Sequence, residues 1–408
     1  MKSIAFWTLL LACCSFAGGD ETSPVQSARP MIGTDAHGHV YPGATVPFGM
    51  VQLSPDTRLE SWDGCSGYHY SDGAILGFSH THLSGTGCGD LGDIRLTPLS
   101  GAFYPAKEKD GYHLKFSHGN ETARPGYYSV LLEDGKIKAE MTATAHAGLH
   151  RYTFPADKPA CLVLDLARGV NNQAADGQVS KESDTVLKGY RRSHGWAKDK
   201  TFYFVAKFSR PFESLNVETG GQTIKGAKTA GLIAHAQFRP SGDPVLVKVG
   251  ISAVSIEAAR KNLDAEIPGW DFQGTVTAAE QRWADYLGRI EIQSDPATRE
   301  TFYTALYHAA MAPTLFNDAD GGYRGLDRKV HAAEGFQNYC TFSIWDTFRA
   351  EHPLLTIIQP QRVDDFVNCM LAHYRQFNQH ALPVWPLAGN ETWCMIGNTP
   401  FRSSSKPM

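Results

Sequence analysis

Apolar residues keep two different rhythms along this chain. From about residue 30 to about residue 270 they gather in short runs separated by turns. The run 127–132 leads into Glu133-Asp134-Gly135, a hairpin signal. The runs 161–166, 201–208 (ending before Arg210-Pro211) and 244–251 read as further strands. Many strands without intervening helices predict an antiparallel β-sandwich. The period then changes. Ala279, Trp283, Tyr286, Leu287 and Ile290 recur at helical spacing, as do Phe302, Leu306, Ala309, Ala310 and Pro313. Val363, Phe366, Val367, Met370 and Tyr374 form a third set.

The pattern therefore predicts a β sandwich followed by α. The boundary falls near 270–280, after Pro268-Gly269-Trp270, with the sandwich over 28–272, a helical linker over 273–294 and a helical domain over 295–397. Residues 398–408 have no apolar face and read as a disordered, aberrant tail. So few helices leave one apolar face seeking a partner. That is expected of a truncated chain or an obligate assembly.

Composition narrows the function. Of 408 residues 42% are hydrophobic, enough for a large core, so wholesale disorder is excluded. Lys plus Arg is 38 and Asp plus Glu 42, a net charge of −4 that leaves no electrostatic footprint for nucleic acid. Lys2 precedes an apolar run, 4–16, too short to span a bilayer and shaped like a signal-peptide core. Ser15-Phe16-Ala17 would end a signal peptide over 1–17. Alternatively, Leu10-Leu11-Ala12-Cys13 is a lipobox, the signal ends at 12, and Cys13 carries a lipid anchor. A buried N-terminal strand is the third reading. An exported protein, periplasmic, anchored at the outer membrane or secreted, is the expectation. The eight cysteines, Cys13 and Cys14 included, show no CxxC spacing, so a structural zinc site is not expected; buried free thiols are, with one disulfide bridge as the alternative in an exported protein.

Polar and aromatic residues concentrate between Gly33 and Asp93. A sugar site needs an aromatic face against the C–H side of the ring, and planar groups to bind paired hydroxyls. Arg58, Trp62, Asp63, Tyr68, Tyr70, His80 and His82 supply that mixture. Turn chemistry and satisfied core histidines are the competing reading. His80 and His82, two apart, share a face on a strand and suit a transition metal; His37 and His39 repeat the spacing, but no third ligand stands at a recognisable interval. Asp90 and Asp93 offer oxygen to calcium or serve turns. Gly85-Thr86-Gly87-Cys88-Gly89 lacks the GK[ST] of a nucleotide loop. Further on, Trp345 and Arg349 fall on one predicted helix face, with Asp346 between them in a first turn. Glu391 stands at a loop tip, as a site carboxylate or in an N-cap or surface role.

Longer strings decide among these. Gly33-Thr34-Asp35, Tyr41-Pro42-Gly43-Ala44-Thr45-Val46-Pro47-Phe48-Gly49-Met50, the stretch from Trp62 to Tyr70 and that from Gly77 to Gly89 resemble glycoside hydrolase family 92, the exo-acting α-mannosidases. Ile267-Pro268-Gly269-Trp270-Asp271-Phe272, Trp345-Asp346-Thr347 and Gly389-Asn390-Glu391-Thr392 continue the resemblance, which covers about residues 30 to 397. It implies an N-terminal sandwich, a helical linker and an (α/α)6 barrel, here incomplete, with the active site between domains. It implies calcium-dependent, inverting hydrolysis of terminal α-mannosides on mannose-rich N-glycans or mannans. By resemblance Asp346 accepts from sugar hydroxyls and Trp345 shapes the pocket. Arg58, Trp62, Asp63, His82 and Glu391 are further substrate-binding candidates. The family's catalytic acid, base and most calcium ligands lie beyond residue 408, so the barrel's remainder is missing and the chain alone is expected to be inactive. A non-catalytic carbohydrate-binding or assembly fragment, and a histidine–metal hydrolase centred on His80 and His82, are the alternatives.

Overall fold

The computed structural model describes residues 23–219, 222–225 and 232–395. The signal segment, Cys13 and the tail 398–408 lie outside them. Two antiparallel sheets face each other. The larger, ten strands among the described residues, runs in space Arg168–Gly169, Asn172–Ser183, Val186–His194, Lys200–Phe208, Val245–Ser252, Ala147–Thr153, Ile137–Ala143, Tyr127–Leu132, Leu114–Arg124, Ala74–Ile75. The smaller runs Ser54–Asp56, Gly77–Ser79, Arg95–Ser100, Ala160–Asp165, Ile233–Phe238, Ser214–Thr219, Gln222–Lys225. Alternation explains the layering. In Lys200–Phe208, Phe202, Phe204, Ala206 and Phe208 point into the core between the sheets, with Phe78, Leu96, Tyr152 and Val249. Val205, one residue out of phase, joins Leu149 on the opposite face.

That opposite face is covered by two helices, Ile256–Glu266 and Phe272–Leu287, through Ala259, Leu263, Phe272 and Val276. The first begins at a Ser255 cap, inside the range the periodicity assigns to the sandwich. Its buried face is Ala258, Ala259, Asn262 and Leu263, too weakly apolar to mark a helix. Contact with the sheet is close: a Cβ on Gly250 would stand 2.4 Å from the Ala259 carbonyl oxygen. The Pro-Gly-Trp motif finishes this layer. The Lys248 ammonium donates to the carbonyls of Ile267, Pro268 and Gly269 at 2.6, 3.1 and 3.2 Å and lies 4.8 Å from the Trp270 ring centroid.

A second core gathers the helices Phe272–Leu287, Pro296–Ala309, Glu351–Ile358 and Pro360–Gln376 through Trp283, Tyr303, Tyr307, Leu355 and Phe366. Three short two-stranded pairs interrupt this part, which helical spacing alone does not predict. The segment Tyr41 to Met50 stitches the two cores together. Tyr41 and Phe48 are buried among the helices; the Trp283 indole N–H donates to the Thr45 carbonyl at 2.7 Å; the Phe48 amide and carbonyl pair with Ala310 and Leu315, both at 2.8 Å. In Pro360–Gln376 the buried positions are Phe366, Cys369 and His373, whereas Val367 and Leu371 face outward with Ile357 of the preceding helix.

Candidate functional site

Between the sandwich and the helices lies a cavity of about 560 Å³. One wall is the loop Ser84 to Cys88; the other comes from the end of Pro296–Ala309, the segment from Thr341 to His352, and Trp385. Three polar atoms in its lining are buried without a hydrogen-bond partner: Glu351 Oε1, His308 Nδ1 and His352 Nδ1. Buried polar groups are normally satisfied, so three in one cavity point to a polar ligand. Burial pushes the Glu351 carboxyl up to about 7, making it a neutral donor below that pH. Burial also lowers both histidines, partly offset by backbone carbonyls, leaving them neutral.

Both walls are braced. Asp346 belongs to the short helix Ile344–Thr347 and lines the cavity. Trp385 Nε1–H donates to Ser343 Oγ at 2.6 Å, and the Ser343 hydroxyl donates to Asp346 Oδ2. The chain of donors leaves the second Asp346 oxygen for a ligand. Trp385 is buried against Trp196, ring centroids 4.2 Å apart, and both line the cavity. The glycine-rich loop is pinned from beneath. Asp90 accepts from Lys200 Nζ at 2.5 Å and from the Ala197 amide at 2.7 Å; Asp93 pairs with Arg191 at 2.5 Å. All four side chains are fully buried. Asp90 and Asp93 are therefore anchors of the loop and of Trp196.

The other candidates from the sequence are scattered. Trp345 sits beside Asp346 but is 47% exposed and packs near Phe348. Its helix stops at Thr347, so Arg349 does not share its face. Glu391 does not reach the cavity. It accepts the amides of Val384, Trp385 and Trp393 at 2.7, 3.0 and 2.8 Å, and so shapes the turn that carries Trp385. Arg58 is held by Asp72, Nε to both carboxylate oxygens at 2.8–2.9 Å, beside a different cavity on the sandwich. His82 is buried in the sandwich. Its Nε2 meets Asp56 Oδ1 at 2.9 Å and Ser79 at 3.0 Å, and its Nδ1 the Gln52 carbonyl at 2.8 Å. A Cβ on Gly67 would fall 2.7 Å from that Asp56 oxygen, at a φ of +81°, which accounts for the glycine in the Cys-Ser-Gly-Tyr string. His80 turns the other way, to His150 Nε2 at 3.0 Å and the Ile94 carbonyl at 2.6 Å; burial pulls it down to about 4. Every ring nitrogen of His80 and His82 is taken up by a different protein partner, so the structure does not bring the two together as the shared metal site that their spacing suggested. Trp62 stands beside the cavity wall, where a Cβ on Gly87 would meet its Nε1 at 3.2 Å; Asp63 does not line the cavity and pairs with His37 at 2.7 Å.

Calcium needs six to eight oxygens. The lining offers two carboxylates on one wall, Asp346 and Glu351, and among the described residues the single His/Cys/Asp/Glu group close enough to share an ion is His37, His39 and Asp63. The described residues do not fit a calcium cage. All six described cysteines are free thiols; Cys65, Cys161, Cys340 and Cys369 are buried, as the sequence predicts, whereas Cys88 and Cys394 are half-buried.

The comparisons with known proteins agree with this two-part architecture. Residues 28–252 match the glycosyl hydrolase family 92 N-terminal domain and residues 258–401 the family 92 catalytic domain. The chain belongs to glycosyl hydrolase family 92. Two solved family 92 structures from Bacteroides thetaiotaomicron superpose on it. The α-mannosidase BT3965, in complex with mannoimidazole, is 39% identical with a TM-score of 0.88 over 92% of this chain and 51% of its own. The inverting mannosidase BT2199 is 27% identical with a TM-score of 0.83 over 93% and 52%. An uncharacterized secreted glycosidase of Arthroderma benhamiae is 29% identical over 69% of this chain and 41% of its own. This family 92 chain thus spans about half the length of the solved structures it matches. Among its described residues no helix is long and apolar enough to cross a membrane.

Proposed function

We propose that the chain carries one wall of the active site of an exo-acting α-mannosidase, and that the cavity takes the terminal mannosyl residue of mannose-rich N-glycans or mannans. The observation that carries this reading is the cavity with three unpartnered buried polar atoms in the same lining as Asp346. A mannose ring presents hydroxyls to such groups and a C–H face to Trp385. The mannoimidazole complex of the solved relative supports mannose as the sugar. Asp346, oriented through Ser343, accepts from sugar hydroxyls; Glu351, neutral around pH 6, donates to a sugar oxygen. Inverting hydrolysis needs an acid and a base on opposite sides of the scissile bond with room for water. Both cavity carboxylates stand on the same wall, so these 408 residues are read as insufficient for turnover alone. The helices from Pro296 onward are read as the start of an (α/α)6 barrel. Calcium dependence and export, whether soluble or lipid-anchored, belong to the same proposal; no step is routed through the ion.

Calorimetric titration of the purified chain with mannoimidazole tests the reading, beside an assay on an α-1,2-mannobioside with calcium. Binding is expected, weakened roughly tenfold or more in Asp346→Asn, as a lost charge-assisted hydrogen bond would do. No turnover is expected. Absence of binding sinks the mannoside site; turnover at an ordinary enzymatic rate sinks the insufficiency. A non-catalytic binding or assembly role is the second reading, favoured by the outward-facing Ile357, Val367 and Leu371.

A further inference from the structure

Beside the glycine-rich wall, whose Gly85 amide donates to the His39 carbonyl, the chain brings together three side chains from two loops. His37 and His39 stand on one, Asp63 on the other. Their ligand atoms all lie within 4.8 Å of one another. His37 Nδ1 is 2.7 Å from Asp63 Oδ1, and His39 Nε2 is 3.9 Å from the same oxygen. The His39 side chain is only 5% exposed, yet its Nε2 has no hydrogen-bond partner. Its ring also faces the backbone carbonyl of Thr86. With one ring nitrogen turned to a carbonyl, the unpartnered Nε2 is the atom left to ligate, an arrangement that second-sphere carbonyls give metal-bound imidazoles. The Trp62 indole walls the group, its ring 4.4 Å from His39 edge-on and 4.8 Å from His37.

We propose that His37, His39 and Asp63 form a binding site for one divalent transition-metal ion of the zinc type. Two imidazoles and one carboxylate, with a fourth position open to water, are a common zinc donor set, whereas calcium prefers oxygen alone. Zinc–ligand distances of about 2.0–2.2 Å place neighbouring donors about 3.3–3.5 Å apart in a tetrahedron. One observed separation is narrower than that and one wider. A small shift of the Asp63 carboxylate, 35% exposed, away from His37 and toward the buried His39 evens them. The bound ion ties the loop at 37–39 to the turn at 62–63 and fixes Trp62 against the Gly85 to Cys88 wall. The site stands on its own geometry and does not rest on the mannosidase reading.

Equilibrium titration of the chelator-stripped chain with zinc chloride, read against a chromophoric zinc indicator, tests it. About one zinc per chain is expected, with at least about tenfold weaker binding in His37→Ala and in Asp63→Asn. His37 is exposed, so its variant retains the fold, which a melting curve checks. Titration with nickel is expected to quench tryptophan emission, and the quenching to shrink in Trp62→Phe. Zinc binding unchanged in both ligand variants overturns the proposal. So does calcium binding these residues more tightly than zinc, or no binding below millimolar zinc.

Discussion

Glu351 shows how one side chain's surroundings set its chemistry. An unfolded glutamate gives up its proton near 4.5; burial holds this one to about 7. Between those values the folded chain binds more protons than the unfolded one, so stability falls as pH rises through the window and levels off above it. Glu351→Gln keeps the shape and removes the charge. Its melting temperature is expected to exceed that of the unaltered chain by a few degrees at pH 8. The gap should close by pH 4, below both values. A constant gap across that range would show that Glu351 titrates as an ordinary surface carboxylate. The sequence did not mark Glu351, because its burial comes from distant neighbours rather than from its own helix. Asp63 was legible as a polar site residue, but its meeting with His37 and His39 was not. No spacing rule links a loop to a turn some two dozen residues away, and the bracing of Asp346 by Ser343 and Trp385 is equally invisible in the linear string.

At the scale of elements, the two rhythms of the chain were read well where each buried face was strongly apolar. The runs around residues 127, 161, 201 and 245 all lie in strands, and the three helical periodicities lie in helices except at Ile290, Ala310 and Pro313, which fall past the helix ends. They failed where small or polar residues did the packing, as at Ile256–Glu266, where alanines and Asn262 meet the sheet. The glycine-rich wall shows a further element-level dependence. It has little packing of its own and relies on Lys200, from a central strand, to neutralise Asp90. Lys200→Met leaves a buried carboxylate unpaired, at a cost of about 3–5 kcal/mol. Urea unfolding should show that loss, and emission from Trp196 should shift to the red, because the Ala197 amide is held by the same Asp90. A loss below about 1 kcal/mol would mean the loop is secured elsewhere.

For the whole molecule, the outward apolar row is the feature most open to measurement. Ile357 is 78% exposed, Val367 55% and Leu371 43%, on two consecutive helices. An exposed row of this kind invites association. Sedimentation of the isolated chain is expected to show concentration-dependent self-association, relieved by the double change Ile357→Lys and Val367→Glu. A monomer at all concentrations would remove the argument for a missing partner surface.

The strap from Tyr41 to Met50 carries a consequence for how the molecule is made. Its partners Trp283, Ala310 and Phe366 lie hundreds of residues downstream. During translation this stretch leaves the ribosome early and must wait, solvated, until most of the polypeptide has followed it. Closure across such a span is slow, so Tyr41 and Phe48 remain sticky surfaces for much of the protein's synthesis. A chaperone that screens nascent chains for exposed aromatics would meet this segment first and release it last.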